Sequence, residues 1–126
     1  MKIAFASTGG KTINRRFGET NDFKIWEIGP DHAAFWGDRS AITSSLIKDE
    51  RNAARVSAVA DCPIICSVDI STVVLAKIVA QNAFHLKTGS EMPITDIVVK
   101  LQGVLRGNPP PWLKKAMGQF HVADSV

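Results

Sequence analysis

The stretch Cys62 to Leu86, CPIICSVDISTVVLAKIVAQNAFHL, constrains the fold more than any other part of the chain. A short apolar run, Pro63 to Cys66, ends in a turn at Ser67–Asp69. A helical segment, Thr72 to Gln81, follows, and then a second short run, Ala83 to Lys87. That order predicts a strand, a crossover helix and a parallel strand. Ser71 or Asp69 suits the helix cap, because either side chain can accept a hydrogen bond from the first free amides. In such units ligands bind in a crevice beyond the carboxyl ends of the strands. His85 lies inside the second strand, between Phe84 and Leu86, and is the leading candidate for a binding residue.

The segments before this unit read as strands and one helix. Lys2 to Ser7 alternates Ile3 and Phe5 with small residues, a central-strand pattern. Thr8–Gly9–Gly10–Lys11 is a turn, Thr12 to Phe17 a short second strand, and Asp22 to Ile28 a third. Their short connections predict an antiparallel meander. Ala33 to Trp36 reads as a further extended piece. Thr43 to Ala60 reads as a helix, with Asp49 and Glu50 in a first turn that favours negative charge. Its apolar stripe is Ala53, Val56 and Ala60.

After the unit, Pro93 suits the first turn of a last helix. Its apolar face is Ile94, Ile97, Val98, Leu101, Val104 and Leu105. Gly107 ends it. Asn108 to Trp112, with three prolines, is expected to be extended and to pack its Trp back on the domain or on a partner. The resulting order is β-β-β-α-β-α-β-α, an α/β mixed five-stranded sheet with helices on both faces. Residues 1–115 form one domain, and 116–126 form a flexible tail.

Charge and apolar content limit the function classes. The net charge of +3 is too small to argue for nucleic acid, though it favours an anionic ligand. No apolar run approaches the ~20 residues of a membrane span. The start reads as a first strand rather than a signal peptide, so a cytoplasmic protein is expected. Cys62 and Cys66 are read as thiols on one face of one strand. At ~3.3 Å per residue they lie ~13 Å apart, too far to form a disulfide or share an ion. Cys62, at the strand's start, reads as the more reachable.

No hydrolytic motif is present, neither a Gly-x-Ser-x-Gly elbow, a phosphate-binding loop nor a His-Glu-x-x-His helix. A nuclease would need clustered carboxylates to hold magnesium, and the first strand has none. The polar groups that converge are of another kind. If the first, fourth and fifth strands are parallel, the loops holding Ser7, Thr8, Gly9, Gly10 and Lys11, then Asn14, Arg15 and Arg16, then Ser67, Asp69 and Ser71, and finally Lys87 share one end of the sheet. Together they predict a pocket for an anionic ligand. His32 and His121 fall in loop and tail and read as solvent-exposed.

Four segments, KIAFASTGGKTINRRFG, FKIWEIGP, AFHLK and LQGVLRGNPPPWL, resemble the nitrogenase cofactor carrier family, the NifX/NafY-like and NifB C-terminal-domain-like proteins. The resemblance spans about residues 1–115. It implies a ribonuclease-H-like fold without nuclease activity, and binding of the iron–molybdenum cofactor or its iron–sulfur precursor on the way to apo-dinitrogenase. His85 matches the family's candidate cofactor ligand, and Cys62 is a possible second one. Lys11, Arg15, Arg16 and Lys87 would offset the cluster's negative charge. Two positions depart from the family pattern. Arg16 stands where a His usually precedes Phe–Gly, and Asp69–Ile70–Ser71 stands where a glycine-rich turn usually follows the fourth strand. The first change removes a possible ligand. The second removes glycines that would let a bulky cluster approach the backbone.

The resulting expectation is a non-enzymatic carrier of an iron–sulfur cofactor or precursor, working with cofactor-assembly proteins and apo-dinitrogenase. The alternative is an interaction protein that docks on apo-dinitrogenase without binding cluster. A degenerate nucleic-acid-binding domain is a third, weaker option.

Overall fold

The structure, a computed structural model, describes residues 1–119. Strands β1 (Lys2–Ala6), β3 (Asp22–Ile28), β4 (Ala33–Ser40), β5 (Ile64–Ser67) and β6 (Phe84–Lys87) form one sheet in the order β4-β3-β1-β5-β6. The β4–β3 and β3–β1 pairs are antiparallel, and β1–β5 and β5–β6 are parallel. This is the mixed five-stranded, ribonuclease-H-like arrangement that the sequence predicts. The β5–α2–β6 crossover through α2 (Thr72–Ala80) is as expected, and the Ser71 hydroxyl accepts from the Val74 amide as the N-cap. Asn82, at φ 62°, stops the helix with the left-handed turn that Asn tolerates.

Alternation along the central strands divides the core into two layers. Ile3, Phe5, Ile64 and Cys66 face α3 (Ile94–Arg106), whose Ile94, Ile97, Val98, Leu101 and Leu105 are buried against them. Ala4, Ala6, Phe23, Ile25 and Ile65 face the other way, toward Val56 of α1 (Lys48–Ala58) and Val74 and Ile78 of α2. The small side chains of Ala4 and Ala6 leave room there for Phe17, whose ring centroid lies 5.4 Å from that of Phe23.

The meander is corrected in its middle member. The expected second strand, Thr12 to Phe17, is extended only at β2 (Thr12–Ile13), and β2 leaves the main sheet to pair with β7 (Met92–Pro93). Phe17–Glu19 is a turn of 3₁₀ helix. The third antiparallel strand is β4, twice as long as the expected Ala33–Trp36 piece. Its pattern was weak because an edge strand needs no apolar face. Phe35 and Trp36 are 54% and 52% exposed. Trp36 is the extra residue of a bulge, with the Lys2 ammonium 4.4 Å from its ring centroid.

Helix ends also shift. The expected Thr43–Ala60 helix starts only at Lys48, and its buried face is Asn52 and Val56 rather than Ala53, Val56 and Ala60. Pro93 caps α3 from the last position of β7 instead of opening the helix. The extended segment is shorter than expected, because Pro111 opens a fourth helix, α4 (Pro111–Gln119). The first helical position is where proline's missing N–H costs nothing. Residues 116–119 of the expected tail therefore belong to α4; 120–126 and His121 lie outside the described residues.

Cys62 and Cys66 are both free, but they do not share a face. Cys62 precedes β5, in a turn where its amide donates to the Val59 carbonyl, and it joins the α1/α2 layer. Cys66 joins the α3 layer. Cys62 is 2% exposed, so it is not the reachable thiol its position promised.

The Pro–Trp segment does pack back on the domain. The Trp112 ring stacks on Phe84 of the β6 edge, with centroids 4.3 Å apart and planes 16° from parallel, and Leu113 is 1% exposed. Leu113→Ala should therefore cost ~2–4 kcal/mol in urea unfolding, the range for a buried Leu truncation. Trp112→Ala should cost ~1 kcal/mol from the lost aromatic pair. Midpoints unchanged in both variants would mean that α4 is not docked.

Candidate functional site

Because β1, β5 and β6 run parallel, their following loops meet at one end of the sheet, and backbone hydrogen bonds join them. The Val68 amide donates to the Arg15 carbonyl and the Phe17 amide to the Asp69 carbonyl, both at 2.9 Å. The Thr88 and Gly89 amides donate to the Ser67 and Val68 carbonyls, both at 3.0 Å. Positive φ angles at Gly9 (92°) and Gly10 (78°) bend the β1–β2 loop into this rim.

His85 pairs in register with Ile65, so its side chain lies on the α1/α2 face, half-buried beside Ser67. Ser67 Oγ lies 2.5 Å from His85 Nε2 and 2.9 Å from the Asp69 carbonyl. A carbonyl only accepts, so the single hydroxyl proton of Ser67 points to Asp69. Nε2 of His85 must then donate to Ser67. The imidazole is thereby fixed as the Nε2–H tautomer, and the lone pair on Nδ1 is left for another partner. Burial lowers the pKa of His85 to about 4, against the opposing attraction of Asp69 and with a smaller push from Lys87. At neutral pH the ring is uncharged, the form that ligates metal.

The other predicted residues divide by role. Asp69 accepts from Arg16 at 3.0 Å, pairs with Lys87 at 3.5 Å and accepts the Ile70 amide at 2.8 Å. These bonds, with Arg16 first, hold its carboxyl below the usual range. Two of the four expected cations are thus tied to one carboxylate. Arg16 and Asp69, the two positions that the sequence resemblance marks as departures, bond to each other. Lys11 and Arg15 are exposed, and Arg15 donates to the Thr8 hydroxyl at 2.9 Å. Asn14 exchanges two hydrogen bonds with the Thr8 backbone, at 2.8 and 3.1 Å, and so braces the loop. Ser71 is occupied as the α2 cap.

Cys62 is not brought to this rim. It lies before the start of β5, whereas Ser67 ends that strand. Burial, reinforced by Asp61, pushes its thiol up to about 12, so it is protonated and a poor ligand as it stands. His32 is exposed and its ring stands against Gly29 in the β3–β4 turn. Among the described residues, no group of three His, Cys, Asp or Glu side chains could hold a metal ion.

Sequence reasoning placed Thr8 at this end of the sheet but not its role as the residue clasped by Asn14 and Arg15, and it missed the basic row of α1. Lys48, Arg51 and Arg55 line a cleft together with Arg16, Asp69 and Ser71. The signal was their 3,4 spacing, which puts three cations on one side of a helix.

Comparison with known proteins shows the family. The family model described as dinitrogenase iron–molybdenum cofactor matches residues 1–103. The chain belongs to that family. It is 33% identical to Protein NifX of Herbaspirillum seropedicae, across 98% of this chain and 88% of that protein. It is 32% identical to Protein NifY of Azotobacter vinelandii, across 94% of this chain but 48% of that protein. The crystal structure of PH0822 matches with a TM-score of 0.65 at 13% identity, over 82% of this chain and 91% of that one, a likeness of fold alone.

The protonation state of His85 is testable. Its pKa falls from 6.5 to about 4 on folding, so between those values the unfolded chain takes up a proton that the folded chain refuses. This contribution to stability is fully present above pH 6.5 and is lost as pH falls toward 4. Nitrogen-detected NMR of the imidazole should show the Nε2–H tautomer and a titration midpoint near pH 4. A midpoint near 6.5, or the opposite tautomer, would contradict the Ser67 bond.

Proposed function

We propose that the chain carries an iron–sulfur nitrogenase cofactor, the iron–molybdenum cofactor or its precursor, and delivers it to apo-dinitrogenase with cofactor-assembly proteins in the cytoplasm. It acts as a carrier and not as an enzyme. The observation that supports this reading best is the neutral His85 imidazole, oriented by Ser67 and standing beside a cationic rim. Imidazole suits iron, and an anionic cluster gains from Lys11, Arg15, Arg16 and Lys87 around it. Binding to Nδ1 keeps the Ser67 bond, and a hydrogen bond to the second ring nitrogen is the usual support of a ligating histidine. One protein ligand is too few to assemble a cluster from ions. It is enough to hold a preassembled one weakly, as a transfer protein must.

The second reading is a protein that docks on apo-dinitrogenase and binds no cluster. Asp69 favours it, because its carboxylate takes up the charge of Arg16 and Lys87 at the rim.

An anaerobic visible-absorption titration with a cluster donor separates the two. His85→Ala should keep its circular dichroism and lose about tenfold or more in affinity, at ~1.4 kcal/mol per decade. His32→Ala should bind as the wild type does, and Lys87→Ala should weaken binding in a salt-dependent way. Equal affinity for wild type and His85→Ala would hand the function to the docking reading.

A further inference from the structure

A cleft of about 360 Å³ opens between α1 and α2, next to the rim but lined by different cations. Lys48, Arg51 and Arg55 form one wall from a single face of α1. Arg55 is held in place: its Nε donates to the Thr20 carbonyl at 2.8 Å and its guanidinium to Asn52 Oδ1 at 3.2 Å. Arg51 crowds it, and burial together with that like charge lowers the Arg55 pKa. Among the described residues, none of these three cations has a carboxylate within ion-pair distance, although seven other ion pairs form. With Arg16 the cleft has four basic side chains against two acidic ones, Glu19 and Asp69, and Asp69 is already bonded to Arg16 and Lys87. The opposite wall is apolar at Ile70 and Val74.

We propose that this cleft binds a small dicarboxylate, with one carboxylate on the fixed Arg55 guanidinium and the other on Arg51. Guanidinium forks match carboxylates in bidentate pairs, and a cation already held by the protein loses little further entropy on binding. The apolar wall accommodates the short carbon chain between the two charges. A cleft of about 360 Å³ is much larger than a lone inorganic ion fills. The anion supplies the counter-charge that the cleft-facing side of α1 lacks, since Asp49 and Glu50 do not line the cleft. This binding does not depend on cluster binding at His85.

The test is isothermal titration calorimetry on the full, cluster-free chain at constant ionic strength, with succinate, malonate, acetate and inorganic phosphate as probes. Succinate or malonate should bind saturably, one per chain, and more tightly than acetate or phosphate. Arg51→Gln, an exposed substitution, should weaken dicarboxylate binding by about tenfold with the fold intact by circular dichroism. Lys100→Ala, on exposed α3 surface, should leave it unchanged. Three results would overturn the proposal: no saturable dicarboxylate binding, wild-type affinity in Arg51→Gln, or phosphate binding as tight as succinate, which would reduce the cleft to a patch of charge.

Discussion

Parallel pairing of β5 with β1 on one side and β6 on the other brings three carboxyl ends to one rim of the sheet. Each of those ends leaves backbone groups that the sheet cannot satisfy. The loops satisfy them mutually, Val68 with Arg15 and Phe17 with Asp69. That exchange fixes the polypeptide around His85 before any side chain is considered. It also explains why the β1–β2 loop leaves the main sheet. Residues 14 to 17 cannot continue a strand and also bond the loop after β5. Asn14 clasps Thr8, and only Thr12 and Ile13 remain paired as a strand.

The same division decides what was legible in the sequence. β1 and β5 were readable because they alternate apolar side chains into both layers, α2 and α3 because each buries an apolar face in one layer, and β6 because it follows the α2 crossover, although none of its side chains is fully buried. β4 was not, because an edge strand with exposed aromatics shows no alternation to read. α4 was hidden by three prolines that argue for extended chain, although only two of them are outside the helix. Within the site, the convergence of loops was legible from topology. The roles of the side chains were not. Apart from the Ser71 cap on Val74, which the order of residues does reveal, nothing in it shows that Asn14 spends its amide on Thr8 or that Cys62 is sealed in a core.

Arg16 and Asp69 show how two local changes become one structural fact. Considered singly, each is what the sequence resemblance marks as a departure, the first in place of an imidazole and the second in place of flexible backbone. In the structure they are partners at 3.0 Å, with Lys87 as the third member. The pair is exposed on the Arg16 side, so its contribution to stability is small. Its consequence is for charge. The carboxylate lowers the positive potential at the rim and leaves Lys11 and Arg15 as cations with no carboxylate partner among the described residues.

The Ser67 hydroxyl links that charge balance to the imidazole. Its proton is committed to the Asp69 carbonyl, whose position the Phe17 amide fixes from the other side. Any movement of the Asp69 turn therefore changes which way Ser67 can donate. If the carbonyl withdrew, Ser67 could donate to Nε2 and the ring would switch to the Nδ1–H tautomer, removing the lone pair from the rim. The state of His85 is thus set by a backbone group two residues beyond β5, and Arg16 helps hold that backbone through the Asp69 side chain. A residue that cannot ligate metal still acts on the residue that can, by fixing where one proton points.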